Sequence, residues 1–378
     1  MKMLESITEA LLKNIINNDY KGYDPYDAME SRIINRKLNR RTLIMLTQLN
    51  RLSPLNIRPL LKIRPLLNSK ANGILLHSFL NLDRPAEEEI EKVVNMLVEY
   101  KSRYFEEYSI GFNYDITLKH YTSLRNEPSL IITLFVMYAF IKYYRNTGRE
   151  DIFEHIMSFS RLLDNKLPSS ETESTLWYSY NFDKINEIYN ATAKIGKFYY
   201  LLYQIQPREE LLIKIRKILN YLQIKQRDDG SWAYGEKIDY TDGFHTGFVL
   251  EAIWHMLKLV ESDSYLMMFE KGMQHYKQKL FSDEAQPLYF HPDYEPDDLR
   301  RHIIETDIRD CAMAIILFSR ADERERATRV LEWTINNMYS SNKGYFYYYR
   351  NGLWTNKIRF IRWQAWMLYA ISVYCENS

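Results

Sequence analysis

A chain of 378 residues, 46% hydrophobic and 26% charged, has the composition of a globular protein and is long enough for two domains or one large repetitive one. Its only cysteines, Cys311 and Cys375, exclude a disulfide framework and a cysteine-based zinc site and favour a reducing compartment. A net charge of +1 and the lack of any 18-residue uncharged apolar run argue against a nucleic-acid partner and a membrane-spanning helix.

The first twenty residues, MKMLESITEALLKNIINNDY, carry apolar residues at helical spacing interrupted by Glu5, Glu9 and Lys13. A signal peptide needs an uninterrupted apolar core, so a helix and a cytoplasmic protein are expected. From Ser31 to Lys70 there is no Asp or Glu, while basic residues run from Arg32 through Arg51, Arg58 and Arg64. The second half of this span, RLSPLNIRPLLKIRPLLNSK, is broken by prolines and cannot be one long helix. It is read as a basic crossover segment (31–70) with Arg58 and Arg64 near a rim or interior. A peripheral contact with an anionic lipid surface is one use for it; single-stranded nucleic acid is not, because stacking aromatics are not interleaved with the charges.

Beyond Lys70, helical periodicity alternates with two kinds of connection. One set of helices is predicted to begin near Lys70, Ser129, Glu187, Phe244, Asp307 and Arg359. Each is followed by a short polar turn, such as NTGRED or QIQPREE, and a second helix. Long connections then follow at 105–128, 168–185, 227–243, 282–306 and 341–357. The first set, for example SLIITLFVMYAFIKYY, is apolar on most sides and should be buried; the second, for example REELLIKIRKILNYLQIK, is amphipathic and should be half-exposed. The expected fold is an all-α (α/α)6 barrel in one domain spanning 1–378, with the N-terminal region supplying the outer partner of the last inner helix. All long loops then share one end, where six inner helices present their N-termini and a positive field suited to an anion.

Residues on that rim define the candidate site. Loop 105–128 offers His120 and Arg125; loop 168–185 offers Tyr180, followed by Asn190 at a helix start. The stretch QRDDGSWAYGEKIDYTDGFHTGF offers Trp232, Asp242 and His245. Asp307, Arg309 and Asp310 open the next helix, with Asp242 and Thr306 at capping positions. In the last loop an Asn351-Gly352 pair signals a type I′ hairpin that delivers Arg359, Arg362 and Trp363. Aromatic rings with scattered Asp, His, Arg and Asn suit a carbohydrate: rings stack on sugar faces, guanidinium groups hold anions, and carboxylate or imidazole moves protons. His245, Asp310, Asp242 and His120 are the acid/base candidates. Arg125, Asn190, Tyr180, Trp232, Asp307, Arg309, Arg359, Arg362 and Trp363 are the substrate-binding candidates. The histidines lie on different loops with no metal-ligand spacing, so no metal or cofactor is expected.

The run Gln226 to Trp232 resembles the QW motif of the squalene cyclase and prenyltransferase α/α-toroid superfamily, although the acidic D-x-D-D of the protonating cyclases is absent. KGYDPYD (21–27), LSPLNIRPLL, YNATAK (189–194), DGFHTGFVLEA, DIRDCAMAI and RWQAWML are similar to a family of bacterial and archaeal α/α-toroid proteins of surface-polysaccharide biosynthesis. By fold that family resembles N-acylglucosamine 2-epimerase and the unsaturated glucuronyl hydrolases. The resemblance implies a protein acting on an anionic or nucleotide-linked sugar, with epimerisation or isomerisation first and lyase or hydrolase action close behind. Two other readings are a non-catalytic glycan-binding scaffold and a terpenoid-cyclase-like enzyme with an apolar cavity.

Overall fold

The structure, a computed structural model, describes residues 2–34, 38–117, 122–294 and 300–376. Its helices in chain order are α1 (Lys2–Asn17), α2 (Arg40–Leu52), α3 (Ser69–Leu82), α4 (Glu87–Glu99), α5 (Leu130–Thr147), α6 (Glu150–Asn165), α7 (Tyr189–Tyr203), α8 (Glu209–Lys225), α9 (Gly243–Leu257), α10 (Asp263–Lys279), the short α11 (Arg300–Ile303), α12 (Ile308–Arg320), α13 (Arg324–Met338) and α14 (Ile361–Glu376).

Helices α3, α5, α7, α9, α12 and α14 form the inner ring. Each packs on the next, and α14 packs on α3, so the ring is closed. The apolar-all-round pattern has its cause here: α5 is buried from Leu130 through Ile141, and α14 from Ile361 through Val373. Helices α4, α6, α8, α10 and α13 pack outside their inner partners, and α1 covers α14. The outer helices bury only one face; α8 hides Leu211, Ile215, Ile218, Leu219 and Leu222 and leaves its charges outside.

Four inner helices start on a side-chain cap. Asn68 accepts from Ala71 N, Ser129 from Ile132 N, Asp242 from His245 N and Asp307 from Arg309 N. Each cap satisfies a backbone N–H that has no partner within its helix. The cap of α12 is Asp307 and not Thr306, whose hydroxyl instead donates to Pro287 O.

Small antiparallel pairs stiffen the loops at this end. Tyr349–Arg350 lies between Thr306–Asp307 and Thr355–Asn356, which holds the start of α12 against the last loop. The turn at 351–354 corrects the type I′ expectation. It has four residues, and neither Asn351 nor Gly352 takes a positive φ. Asn351 Oδ1 accepts from the N–H groups of Leu353 and Trp354, so its side chain organises the turn.

Among the described residues no helix is long and apolar enough to cross a membrane.

Candidate active site

Where the inner helices begin, their ring surrounds a cavity of about 300 Å³, at the lower end of the size range of ligand sites. Arg51, Lys70, Lys184, Arg300, Arg309 and Arg362 line it, together with Tyr26, Tyr180, Tyr234, Tyr240 and Tyr289. Among the described lining residues Asp242 is the one carboxylate, and His245 stands beside it.

Asp242 has two duties. Its Oδ1 accepts the backbone N–H of His245 at 2.7 Å, which caps α9, and its Oδ2 lies 2.7 Å from His245 Nδ1. The pairing places a proton on Nδ1 and leaves the Nε2 lone pair free to work. Burial pushes the imidazole below the usual histidine range, Asp242 opposes this, and Arg309 and Lys194 add to it. Burial also raises the Asp242 carboxyl, but His245 and Arg309 hold it below the usual carboxylate range on balance. The pair is therefore a neutral imidazole on an ionised carboxylate, the arrangement of a general base.

Two arginines of the wall are held by protein carboxylates. Asp307 grips Arg309 at Nε (3.0 Å) and Nη2 (2.8 Å), and the guanidinium lies against the rings of Phe244 and Trp363. Arg362 Nη2 donates to Asp24 Oδ1 at 3.0 Å, so the buried guanidinium has its anion within the chain. Asp24 Oδ2 in turn accepts from Asn68, the cap of α3. The KGYDPYD segment thus ties α14 to α3 at the seam of the ring. In the same segment Asp27 grips Arg58, whose side chain is fully buried, whereas Arg64 is exposed.

The sequence candidates divide by place. Asp242, His245, Tyr180, Arg309 and Arg362 line the cavity, and Asp307 positions Arg309. Asn190 lies beside His245 in a small adjoining void, its Nδ2 buried without a partner. Trp363 is buried behind Arg309 and Arg362, its ring carrying both guanidinium groups. Trp232 is 2% exposed, donates from Nε1 to Leu222 O and packs on Gly272 of α10; it is a wedge between helices and presents no face to the main cavity. Arg125 is exposed and paired with Glu30, away from the cavity lining. Arg359 points to the outer ring, where its Nε donates to Asn14 of α1. His120 lies outside the described residues.

Asp310 is 1% exposed and does not line the cavity. Its Oδ1 would be 2.9 Å from a Cβ at residue 243, so only glycine fits there. Burial, with Asp307 and Asp242 adding repulsion, raises its carboxyl well above the usual range. It is a buried carboxyl behind the α9 N-terminus, in surroundings that favour its protonated form.

Sequence reasoning did not single out Tyr26, Arg51, Lys70, Lys184 or Arg300 for the site. Lys70 stands at a predicted inner-helix start and Lys184 and Arg300 lie in predicted rim loops, but nothing in their neighbours marked them as facing the cavity; Tyr26 and Arg51 come from ahead of the first inner helix and reach the cavity through distant contacts. The Tyr26 phenol is raised by burial, but Arg51, Arg309, Arg362 and Arg300 draw it below the usual tyrosine range.

Away from the cavity, ligand atoms of Asp229, His275 and His291 lie within 4.8 Å of one another. The two imidazole rings stack with planes 13° apart. Each lone pair lies in its own ring plane, so the two cannot converge well on one ion.

No protein-family model and no curated protein matched the chain. Solved structures did. Cellobiose 2-epimerase from Bacillus thermoamylovorans B4167 superposes with a TM-score of 0.64 at 14% identity, over 82% of this chain and 90% of that one. A family 76 glycoside hydrolase from a bovine Bacteroides thetaiotaomicron strain gives 0.61 at 12% identity, over 98% and 77%. An unsaturated glucuronyl hydrolase specific for heparin gives 0.61 at 10% identity, over 99% and 97%. At these identities the likeness establishes a shared fold: this chain is an α/α toroid, built like those three proteins.

Proposed function

We propose that the protein is an enzyme acting on an anionic sugar, with His245 as proton-transfer group and Asp242 as its orienting partner. The observation that carries this is the Asp242–His245 pair, 2.7 Å apart, opening on a cavity ringed by arginines and tyrosines. The solved structures with this fold include a sugar epimerase and two glycoside-cleaving enzymes, which supports sugar chemistry in general.

Proton transfer at carbon fits the wall better than glycoside hydrolysis. A glycosidase of the usual kind needs two carboxyl groups flanking the bond, and here one carboxylate, already paired, is found among the described lining residues. In this reading His245 Nε2 removes a proton from the carbon beside a carbonyl or carboxylate. Asp242 stabilises the imidazolium, and Arg309 and Arg362 hold the negative charge that develops. Tyr26, which also lines the cavity, is the second acid/base group: its hydroxyl delivers its own proton to the carbon while His245 keeps the one it removed, and both then exchange with solvent. Epimerisation or isomerisation leads; elimination uses the same first step. Asp310 is reassigned from acid/base to positioning. A terpenoid cyclase is disfavoured, because a wall of cations would repel a carbocation.

The test is incubation with uronic acids, sugar phosphates and nucleotide sugars in D2O. Deuterium should enter the sugar at carbon and fail to do so with His245→Ala. Binding without exchange or turnover by the wild type would favour the scaffold reading. Equal turnover by His245→Ala would refute the role given to this residue.

A further inference from the structure

Two lysines of the inner ring, half-buried Lys70 and buried Lys194, have no carboxylate partner among the described residues. Lys70 sits in the first turn of α3 and lines the cavity. Lys194, the last residue of the YNATAK stretch, is 3% exposed on α7 and lines a small separate void walled in part by Phe135 and Phe248. Both ammonium groups lie about 5 Å from the centre of the Phe135 ring (4.9 and 5.1 Å), and Lys194 also faces Phe248. Neither makes a hydrogen bond or ion pair among the described residues. The carboxylates that bear on them are already taken: Asp24 by Arg362 at 3.0 Å, and Glu251 by Lys197 at 2.5 Å. Of the other buried cations, Arg58 is paired with Asp27 and Arg309 with Asp307, while Arg51 has the Tyr348 hydroxyl and the Tyr26 ring instead of a carboxylate among the described residues. Both amines are therefore available to an anion brought by a ligand.

We infer that Lys70, with Lys194 at the same Phe135 ring, forms an anion subsite at the floor of the cavity that receives the carboxylate or phosphate group of the ligand. The inference rests on reading this cavity as the sugar site and names where the ligand's charge goes. The charged groups around the floor are mostly cations, and its two carboxylates, Asp24 and Glu251, are each held by another cation. Lys70 is faced by Arg362 from α14 and Arg309 from α12; Lys194 is faced by Lys70 from α3, by Lys197 of its own helix and by His245 and Glu251 from α9.

Filling the subsite draws a proton from solvent. Burial lowers the Lys70 amine well below the usual lysine range, Arg362 and Arg309 lower it further, and Asp24 opposes them. For Lys194 burial comes first, then Lys70, with Glu251 opposing. An arriving anion favours the ammonium form of both. Association should therefore take up protons at alkaline pH, fewer as the pH falls and the amines charge in the free protein.

The experiment is calorimetric titration of the whole chain at pH 8.5, where His245 stays neutral, with inorganic phosphate and with glucuronate in buffers of different ionisation enthalpy. Glucose is the uncharged control. Uptake with glucuronate alone identifies a carboxylate seat; uptake with phosphate alone identifies a phosphate seat. Lys70→Met should weaken the anion about tenfold or more and reduce the proton uptake. Lys194→Met reports on the second amine should the first variant misfold. His245→Ala should bind with the same uptake while losing turnover, which separates the two proposals. Anion binding by the wild type with no buffer dependence, glucose binding as well as glucuronate, or no binding of either anion at millimolar concentration would overturn the subsite.

Discussion

Removing the charge of Asp242 while keeping its shape separates its two duties. Asp242→Asn retains a good helix cap but loses the ionised partner of His245. Exchange at carbon is expected to fall by about 10² or more. In the wild type the rate should be lost as the pH drops through the His245 titration, which burial places below the usual histidine range. Without the carboxylate that limb should move further toward acid, because the group opposing the shift is gone. The pH profile of kcat/KM decides this; an unmoved limb would mean that the rate reports another group. Asp310 offers the opposite sign. Its folded-state pKa is raised, so its contribution favours the fold at low pH and is lost as the pH rises above that of an unfolded carboxyl. Asp310→Asn should therefore gain thermal stability relative to wild type between about pH 5 and pH 8, with turnover reduced less than in His245→Ala. A loss of turnover equal to that of His245→Ala would restore it as an acid/base group.

Trp232 and Gly272 belong together at the scale of elements. A Cβ at 272 would lie 2.7 Å from Trp232 Cζ3 and 2.8 Å from Leu250 Cδ2, so α10 approaches the joint and α9 only through a glycine. Gly272→Ala should cost about 1–3 kcal/mol by overpacking, and Trp232→Ala about 3–5 kcal/mol by leaving a cavity. Both should show in chemical denaturation with ligand affinity nearly unchanged, since the indole does not face the ligand. A strong affinity loss in stable Trp232→Ala would restore it as a stacking ring. Asp24 works at the same scale, joining Arg362 on α14 to the Asn68 cap on α3. Asp24→Ala leaves a buried guanidinium without its anion and should destabilise the fold by about 3–5 kcal/mol.

Closure of the ring changes how the whole molecule comes apart. In an open array of helical hairpins the terminal repeats fray first. Here α3 and α14, the two ends of the inner ring in sequence, pack on one another. Their amide hydrogens should therefore exchange as slowly as those of α7 and α9. Faster exchange confined to α3 and α14 would show that the seam opens independently, and the cavity with it.

Six inner helices, their alternation with outer partners, and the end of the barrel where the long loops gather were legible in the sequence, because local periodicity and connection length set them. The cap Asp242 and its neighbour His245 were legible too, since a cap and the third residue after it meet within one helical turn. The rest depended on distant contacts. Arg359 and Arg362 differ by three positions in the chain, yet one reaches α1 and the other the cavity, a difference set by what packs around α14. Trp232 looked like a stacking ring, but a glycine on α10 receives it. Asp24, Tyr26 and Arg51 meet the barrel from ahead of its first inner helix, by contacts that no local pattern specifies. The sequence by itself determined the elements and their order, because those follow from each residue's near neighbours. Only the tertiary structure decided which charges are satisfied within the fold and which amines are left facing the cavity, because a charge is partnered through space and not along the chain.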